Sequence, residues 1–143
     1  MTKESVSLPE LSFFHTKRVF LTGHTGFKGA WLSKLLLLAG ADLTGFSLPP
    51  QTEPALFTLA VLEGEMRSIL GDVRDYGALK AAFDTAQPEI VIHMAAQPIV
   101  RESYRDPVGT YSTNVMGTVH ILECVRQHWN SYDETILYAF PPQ

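Results

Sequence analysis

Thr22-Gly23-His24-Thr25-Gly26-Phe27-Lys28-Gly29 is the stretch that decides the fold. The apolar run Val19-Phe20-Leu21 leads into it, and a helical pattern from Gly29 to Ala39 leads out, closed by Gly40 at the C′ position. Glycines spaced G-x-x-G-x-x-G between a strand and a helix mark a phosphate-binding turn. Gly23 permits the tight turn off the strand. Gly26 lets the backbone approach a diphosphate with no Cβ in the way, and Gly29 lets the helix lie close to the sheet. The start of the helix adds free N–H groups and roughly half a positive charge. Lys28 in the first helical turn opposes that dipole; either a bound anion removes the penalty or the ammonium points into water. His24, inside the turn, reads as a residue that shapes the loop.

Strands and helices alternate outward from this turn. Residues 41–46 read as a second strand, followed by a loop with Pro49, Pro50 and Pro54 and a short helix near 55–60. Residues 66–70 are a third strand. Asp75 caps a helix to about residue 86, with Tyr76, Leu79, Ala82 and Phe83 on one side. Pro88 breaks that helix, and Ile90-Val91-Ile92-His93 is a fourth strand. Asp106-Pro107, an N-cap followed by proline at N1, starts a long helix on which Val108, Tyr111, Val115, Val119 and Leu122 share a face. The βαβαβαβα order predicts a doubly wound, Rossmann-type α/β fold with a parallel sheet.

Composition narrows the function. The chain has 143 residues, 45% hydrophobic and 18% charged, which is a globular balance for one domain. A net charge of −4 with no basic stripe argues against nucleic-acid binding. The longest apolar run, Leu35 to Ala41, is far short of the ~20 residues that cross a bilayer, and the N-terminus has no apolar signal segment. The single cysteine, Cys124, forms no internal disulfide and fits a cytoplasmic location. His15, His120 and His128 lack partners at ligand spacing, so no metal site is predicted.

The carboxyl ends of the strands carry the other candidates. The acid expected after strand two, which would choose NAD over NADP, is missing; Ser47 occupies that neighbourhood, and no arginine follows directly. Cofactor choice is therefore not readable there. Asp72, after strand three, sits where a carboxylate accepts from an adenine amino group, while Asp75 fits a helix cap better. After strand four, small residues leave room for a ligand over the sheet edge. His93 reads as a packed strand-end histidine rather than a base.

These motifs together resemble the CDP-glucose 4,6-dehydratases of the extended short-chain dehydrogenase/reductase superfamily. The resemblance rests on residues 22–29, Phe46-Ser47-Leu48-Pro49-Pro50 with Pro54 and Leu56-Phe57, Gly71-Asp72-Val73-Arg74-Asp75, Ala95-Ala96-Gln97-Pro98 running to Arg101 and Ser103-Tyr104, and Thr113-Asn114-Val115-Met116-Gly117-Thr118. It implies bound NAD, oxidation at C4 of a CDP-glucose sugar, loss of water across C5 and C6, and return of hydride to C6. The product would be a 4-keto-6-deoxy sugar, a precursor of dideoxysugars in surface polysaccharide. By position, Gly23, Thr25, Gly26, Phe27, Lys28 and Gly29 would line the diphosphate. Asp72 and Val73 would hold adenine, and Ala95, Ala96 and Gln97 would flank the ribose and nicotinamide. Asn114 would support the site from the long helix. Arg101, Ser103 and Tyr104 would lie at the substrate edge, and helix 107–127 would form a homodimer interface. Another nucleotide-sugar epimerase or dehydratase, or a non-catalytic NAD-binding module, stays open as an alternative.

The resemblance divides the chain into an N-terminal extension (1–16), a partial NAD-binding Rossmann domain (17–127) and a divergent tail (128–143), with the fold cut short after four or five strands. The family's catalytic Tyr-x-x-x-Lys pair is expected beyond strand five, so no catalytic residue is assigned. Tyr76-Gly77-Ala78-Leu79-Lys80 matches that pattern literally but lies on the wrong helix. Tyr132 has Ile136 at the lysine position. If Thr135–Phe140 cannot serve as strand five, strand four is left with a bare edge, and marginal stability or self-association follows.

Overall fold

In a computed structural model of the chain, residues 9–129 and 136–139 are described. The strands are β1 (Arg18–Thr22), β2 (Asp42–Ser47), β3 (Arg67–Leu70), β4 (Ile90–His93) and β5 (Ile136–Ala139). Every pairing is parallel, in the order β3-β2-β1-β4-β5. Strand order reverses between β1 and β4, and open α/β sheets hold their ligands outside the carboxyl ends at such a switch.

The helices are α1 (Phe27–Leu38), α2 (Leu56–Leu59), α3 (Tyr76–Ala86), α4 (Val100–Arg105), α5 (Pro107–Tyr111) and α6 (Gly117–Trp129). Successive strand residues point to opposite faces, which splits the core in two. Val19, Leu21, Ile90 and Ile92 pack with Leu36 of α1 on one face. Phe20 and Val91 pack with Leu79 and Phe83 of α3 and Ile121 and Cys124 of α6 on the other. The Phe20 and Phe83 rings lie 5.1 Å apart at 58°. Before β1, residues Pro9–Phe14 form a 3₁₀ turn, and Phe14 packs into the α1-side core.

The structure adds five details to the sequence pattern. The first helix starts at Phe27, two residues before Gly29, because extended backbone at Gly26 ends the turn there. The long helix is interrupted: α5 ends at Tyr111, residues Ser112–Met116 form a π turn, and α6 resumes at Gly117. A further helix, α4, precedes it. The shared face of Val108, Tyr111, Val115, Val119 and Leu122 is turned outward, with Val108 79% exposed and Leu122 43%; Ile121 and Cys124 take the core contact instead. Finally, Ile136–Ala139 pairs with β4 as β5, so β4 has no bare edge. Residues 1–8, 130–135 and 140–143, which hold the rest of the tail, lie outside the described residues.

Candidate dinucleotide site

Three loops meet over the carboxyl ends of β1, β3 and β4. The first is the glycine turn. Gly23 adopts φ +79°, and a Cβ there would come within 2.9 Å of the Ala95 nitrogen and the Met94 carbonyl carbon. A Cβ on Gly29 would fall on the Gly23 carbonyl oxygen. No side chain caps α1 and no acid lies in its first turn, which leaves its opening N–H groups and dipole available to an anion. Underneath, His24 is fully buried, with Nε2 2.8 Å from Ser68 Oγ and its ring edge-on to Phe57 at 5.3 Å. Burial pulls its pKa down to about 4, so the ring is neutral and shapes the loop.

The second loop follows β3. Asp72 accepts from the Arg74 backbone N–H at 2.9 Å and from its guanidinium at 2.9 and 2.6 Å. The guanidinium holds the Asp72 carboxyl below the usual carboxylate range. Val73 is fixed from behind, because His120 Nδ1 donates to its carbonyl at 2.8 Å and a Cβ on Gly117 would strike its side chain. Asp75 caps α3 by accepting from the Ala78 N–H at 3.0 Å.

The third loop follows β4 and hangs from one hydroxyl. Thr22 Oγ1 accepts from the N–H groups of Met94 at 3.0 Å and Ala95 at 3.1 Å. Its own proton therefore goes to His93 Nδ1, 2.7 Å away. His93 carries its proton on Nε2 and donates to Thr118 Oγ1 at 3.3 Å, whose hydroxyl donates to the Asn114 carbonyl at 2.6 Å. Burial pulls the His93 pKa down to about 4, in keeping with a ring that serves as a fixed neutral link. Asn114, on the π turn, clamps Gln97 in both directions: Oδ1 accepts the Gln97 N–H at 2.7 Å, and Nδ2 donates to its carbonyl at 3.0 Å. A π turn widens the helix locally where this side chain leaves it.

A cavity of about 500 Å³ opens between these loops and the exit of β2. Of the expected cofactor residues, Gly23, Thr25, Gly26, Phe27, Lys28, Gly29, Asp72, Val73, Ala95 and Ala96 line it. Gln97 and Asn114 stand behind it as a clamp. Arg101, Ser103 and Tyr104 lie on α4, outside the lining; Ser103 Oγ donates to the Val100 carbonyl, and Tyr104 is 84% exposed. Tyr76 and Lys80 lie on α3, away from the cavity: the Tyr76 hydroxyl accepts from Gln127, and Lys80 pairs with Asp84. Among the described residues, no three His, Cys, Asp or Glu side chains are grouped to hold a metal, and no helix is long and apolar enough to cross a membrane.

Residues 20–139 match the family described as GDP-mannose 4,6 dehydratase. The chain belongs to this family. The 4,6-dehydratase match runs past Gln127 and through β5. The chain is 54% identical over 119 residues to a CDP-glucose 4,6-dehydratase of Salmonella typhimurium, covering 83% of this chain and 33% of that protein. It is 33% identical over 119 residues to a probable dTDP-glucose 4,6-dehydratase of Sinorhizobium fredii, covering 82% of this chain and 34% of that one. Among solved structures, a UDP-glucose 4-epimerase of Thermus thermophilus in complex with NAD superposes with a TM-score of 0.67 at 30% identity, over 77% of this chain and 34% of that one. The chain thus spans about a third of the length of the relatives it matches.

Within this 4,6-dehydratase fold the cavity also takes in Ser47, Leu48, Pro49, Gln51, Arg74 and Thr113, none of them a predicted site residue. The first four leave the carboxyl end of β2, so the switch-point rule alone points to them. Arg74 could have been found through its pairing with Asp72 two residues away. Thr113 enters through the π turn, which has no local sequence signature.

Proposed function

We propose that the chain is the NAD-holding portion of a CDP-glucose 4,6-dehydratase. The 54% identity to the Salmonella enzyme carries the reading, and the cavity supports it. Gly26 lines the cavity, and a Cβ on it would meet only the Gly23 carbonyl, so the cradle is open where a diphosphate would lie. The opening N–H groups of α1, with Lys28, hold that diphosphate. Asp72, kept ionised by Arg74, accepts from the adenine amino group beside Val73. Ala95 and Ala96 leave space for the ribose and nicotinamide, and the Asn114–Gln97 clamp keeps their loop in place. NAD held by these residues would supply the hydride acceptor for oxidation at the sugar C4 and the hydride for reduction at C6.

Arg101 and Tyr104, on α4 beyond Pro98 at the cavity wall, border the sugar nucleotide in this reading, with Ser103 between them. The outward apolar face from Val108 to Leu122 meets the same face of a second copy in a homodimer. The product feeds dideoxysugar synthesis for surface polysaccharide, in the cytoplasm.

Two measurements test the reading. Calorimetric titration of the chain with NAD should give saturable heat with one site per chain; no heat refutes the cofactor assignment. A chimera carrying residues 20–139 in place of the matching segment of the Salmonella enzyme should turn over CDP-glucose in preference to dTDP-glucose. Equal use of both refutes the substrate assignment.

A further inference from the structure

The exit of β2 offers a ribose no carboxylate, yet its hydrogen-bond directions are fixed. Thr25 Oγ1 lies 2.7 Å from the Leu48 carbonyl oxygen and 2.8 Å from Ser47 Oγ. The carbonyl has no proton to give, so the single Thr25 proton goes there. The contact with Ser47 then requires the Ser47 proton. Ser47 Oγ is left with lone pairs only, on a residue that is 8% exposed and lines the cavity. Its backbone is fixed as well, because Ser47 pairs with Leu70 on β3 and its carbonyl accepts the Gly71 N–H at 2.8 Å.

In dinucleotide folds the end of the second strand meets the adenosine ribose 2′-oxygen, where a carboxylate normally accepts from the 2′-hydroxyl. We propose that Ser47 does that work here, selecting NAD over its 2′-phosphorylated form because its own proton is already committed to Thr25. A 2′-hydroxyl has a proton to donate to this oxygen. A 2′-phosphate is a charged acceptor and meets lone pairs instead of a donor. The two cations lining the cavity have other places: Lys28 lies in the first turn of α1, and Arg74 is paired with Asp72. The inference rests on the NAD reading of the cavity and adds to it the residue that sets cofactor choice.

The test is titration of the chain with NAD, NADP and NAD lacking the adenosine 2′-hydroxyl. The wild-type chain should bind the 2′-deoxy compound roughly tenfold more weakly than NAD, the scale of one neutral hydrogen bond, and NADP more weakly still. Ser47→Ala should lose the same factor for NAD and no longer distinguish NAD from its 2′-deoxy form. Thr25→Val frees the Ser47 proton to turn outward, so the gap between NAD and NADP should narrow. Equal Kd values for NAD and 2′-deoxy-NAD on the wild-type chain overturn the inference while leaving the cofactor reading intact, and need no variant to fold. Binding of none of the three overturns both.

Discussion

Thr22→Val removes one oxygen and keeps the side-chain shape, so it isolates the hydroxyl on which the loop after β4 hangs. Thr22 is fully buried. In the variant, His93 Nδ1 and the Ala95 N–H lose their hydrogen-bond partner among the described residues, while the Met94 N–H keeps the Thr22 carbonyl at 3.2 Å. A buried polar group left without a partner costs about 1–3 kcal/mol. His93 Nδ1 is one such group, whereas the Ala95 N–H is half-buried and borders the cavity, where water reaches it, so the loss is about 1–3 kcal/mol, a sizeable share of the ~5–15 kcal/mol that holds a small domain together. With a urea m-value of about 1–3 kcal/mol/M, a loss in the middle of that range moves the unfolding midpoint by about 1 M. Thr22→Ser keeps the oxygen and loses one methyl, which costs about 1 kcal/mol. Urea unfolding followed by circular dichroism compares the three chains. Valine within about 0.5 kcal/mol of wild type, or serine as damaging as valine, would refute the reasoning. Because Thr118 bonds the other nitrogen of the same ring, Thr22→Val and Thr118→Val should be non-additive in combination.

Burial lowers the pKa of both His24 and His93 from 6.5 to about 4, so between those values the unfolded chain binds protons that the folded chain refuses. Stability is then flat above about pH 6.5 and falls as pH drops toward 4, by about 2 kcal/mol per ring between pH 7 and pH 5; His93→Gln should halve that fall, and identical urea midpoints at pH 5 and 7 in the wild type would contradict the assignment. Gly29→Ala drives a methyl onto the Gly23 carbonyl, so the turn must open and calorimetry should register at least a tenfold loss of NAD affinity, whereas unchanged affinity would mean the turn does not form the cradle. Val119→Asp with Leu122→Asp puts charge on the outward face, and sedimentation should shift from dimer to monomer, while an unchanged sedimentation coefficient removes that face as the interface.

The fold was legible because its signals are local. Alternation at Val19-Phe20-Leu21 and Ile90-Val91-Ile92 divides the core between two faces, as the two clusters show. Asp75 and Asp106 both accept from the backbone N–H three residues on, as N-caps do. The face shared by Val108, Tyr111 and Val115 was legible as a face but not in its direction. A 3.6-residue period states which side chains align and carries no information on whether core or solvent meets them; here Ile121 and Cys124, on the other side of α6, meet the core.

The site divides along the same line. The glycine turn was legible because the demands on Gly23 and Gly29 come from atoms within a few residues or from the adjoining strand end. The hydroxyl of Thr22 was not, since its partners lie 71 to 73 residues away and its role emerges only by counting protons. The same counting gives Ser47 a direction that its side-chain type does not have. A serine in isolation donates or accepts freely. Beside a threonine that must donate to a carbonyl, it can only accept. The missing acid after the second strand is therefore a weak guide to cofactor choice in this fold: one hydroxyl oriented by its neighbour presents the ribose with an acceptor, as a carboxylate would, without burying a charge.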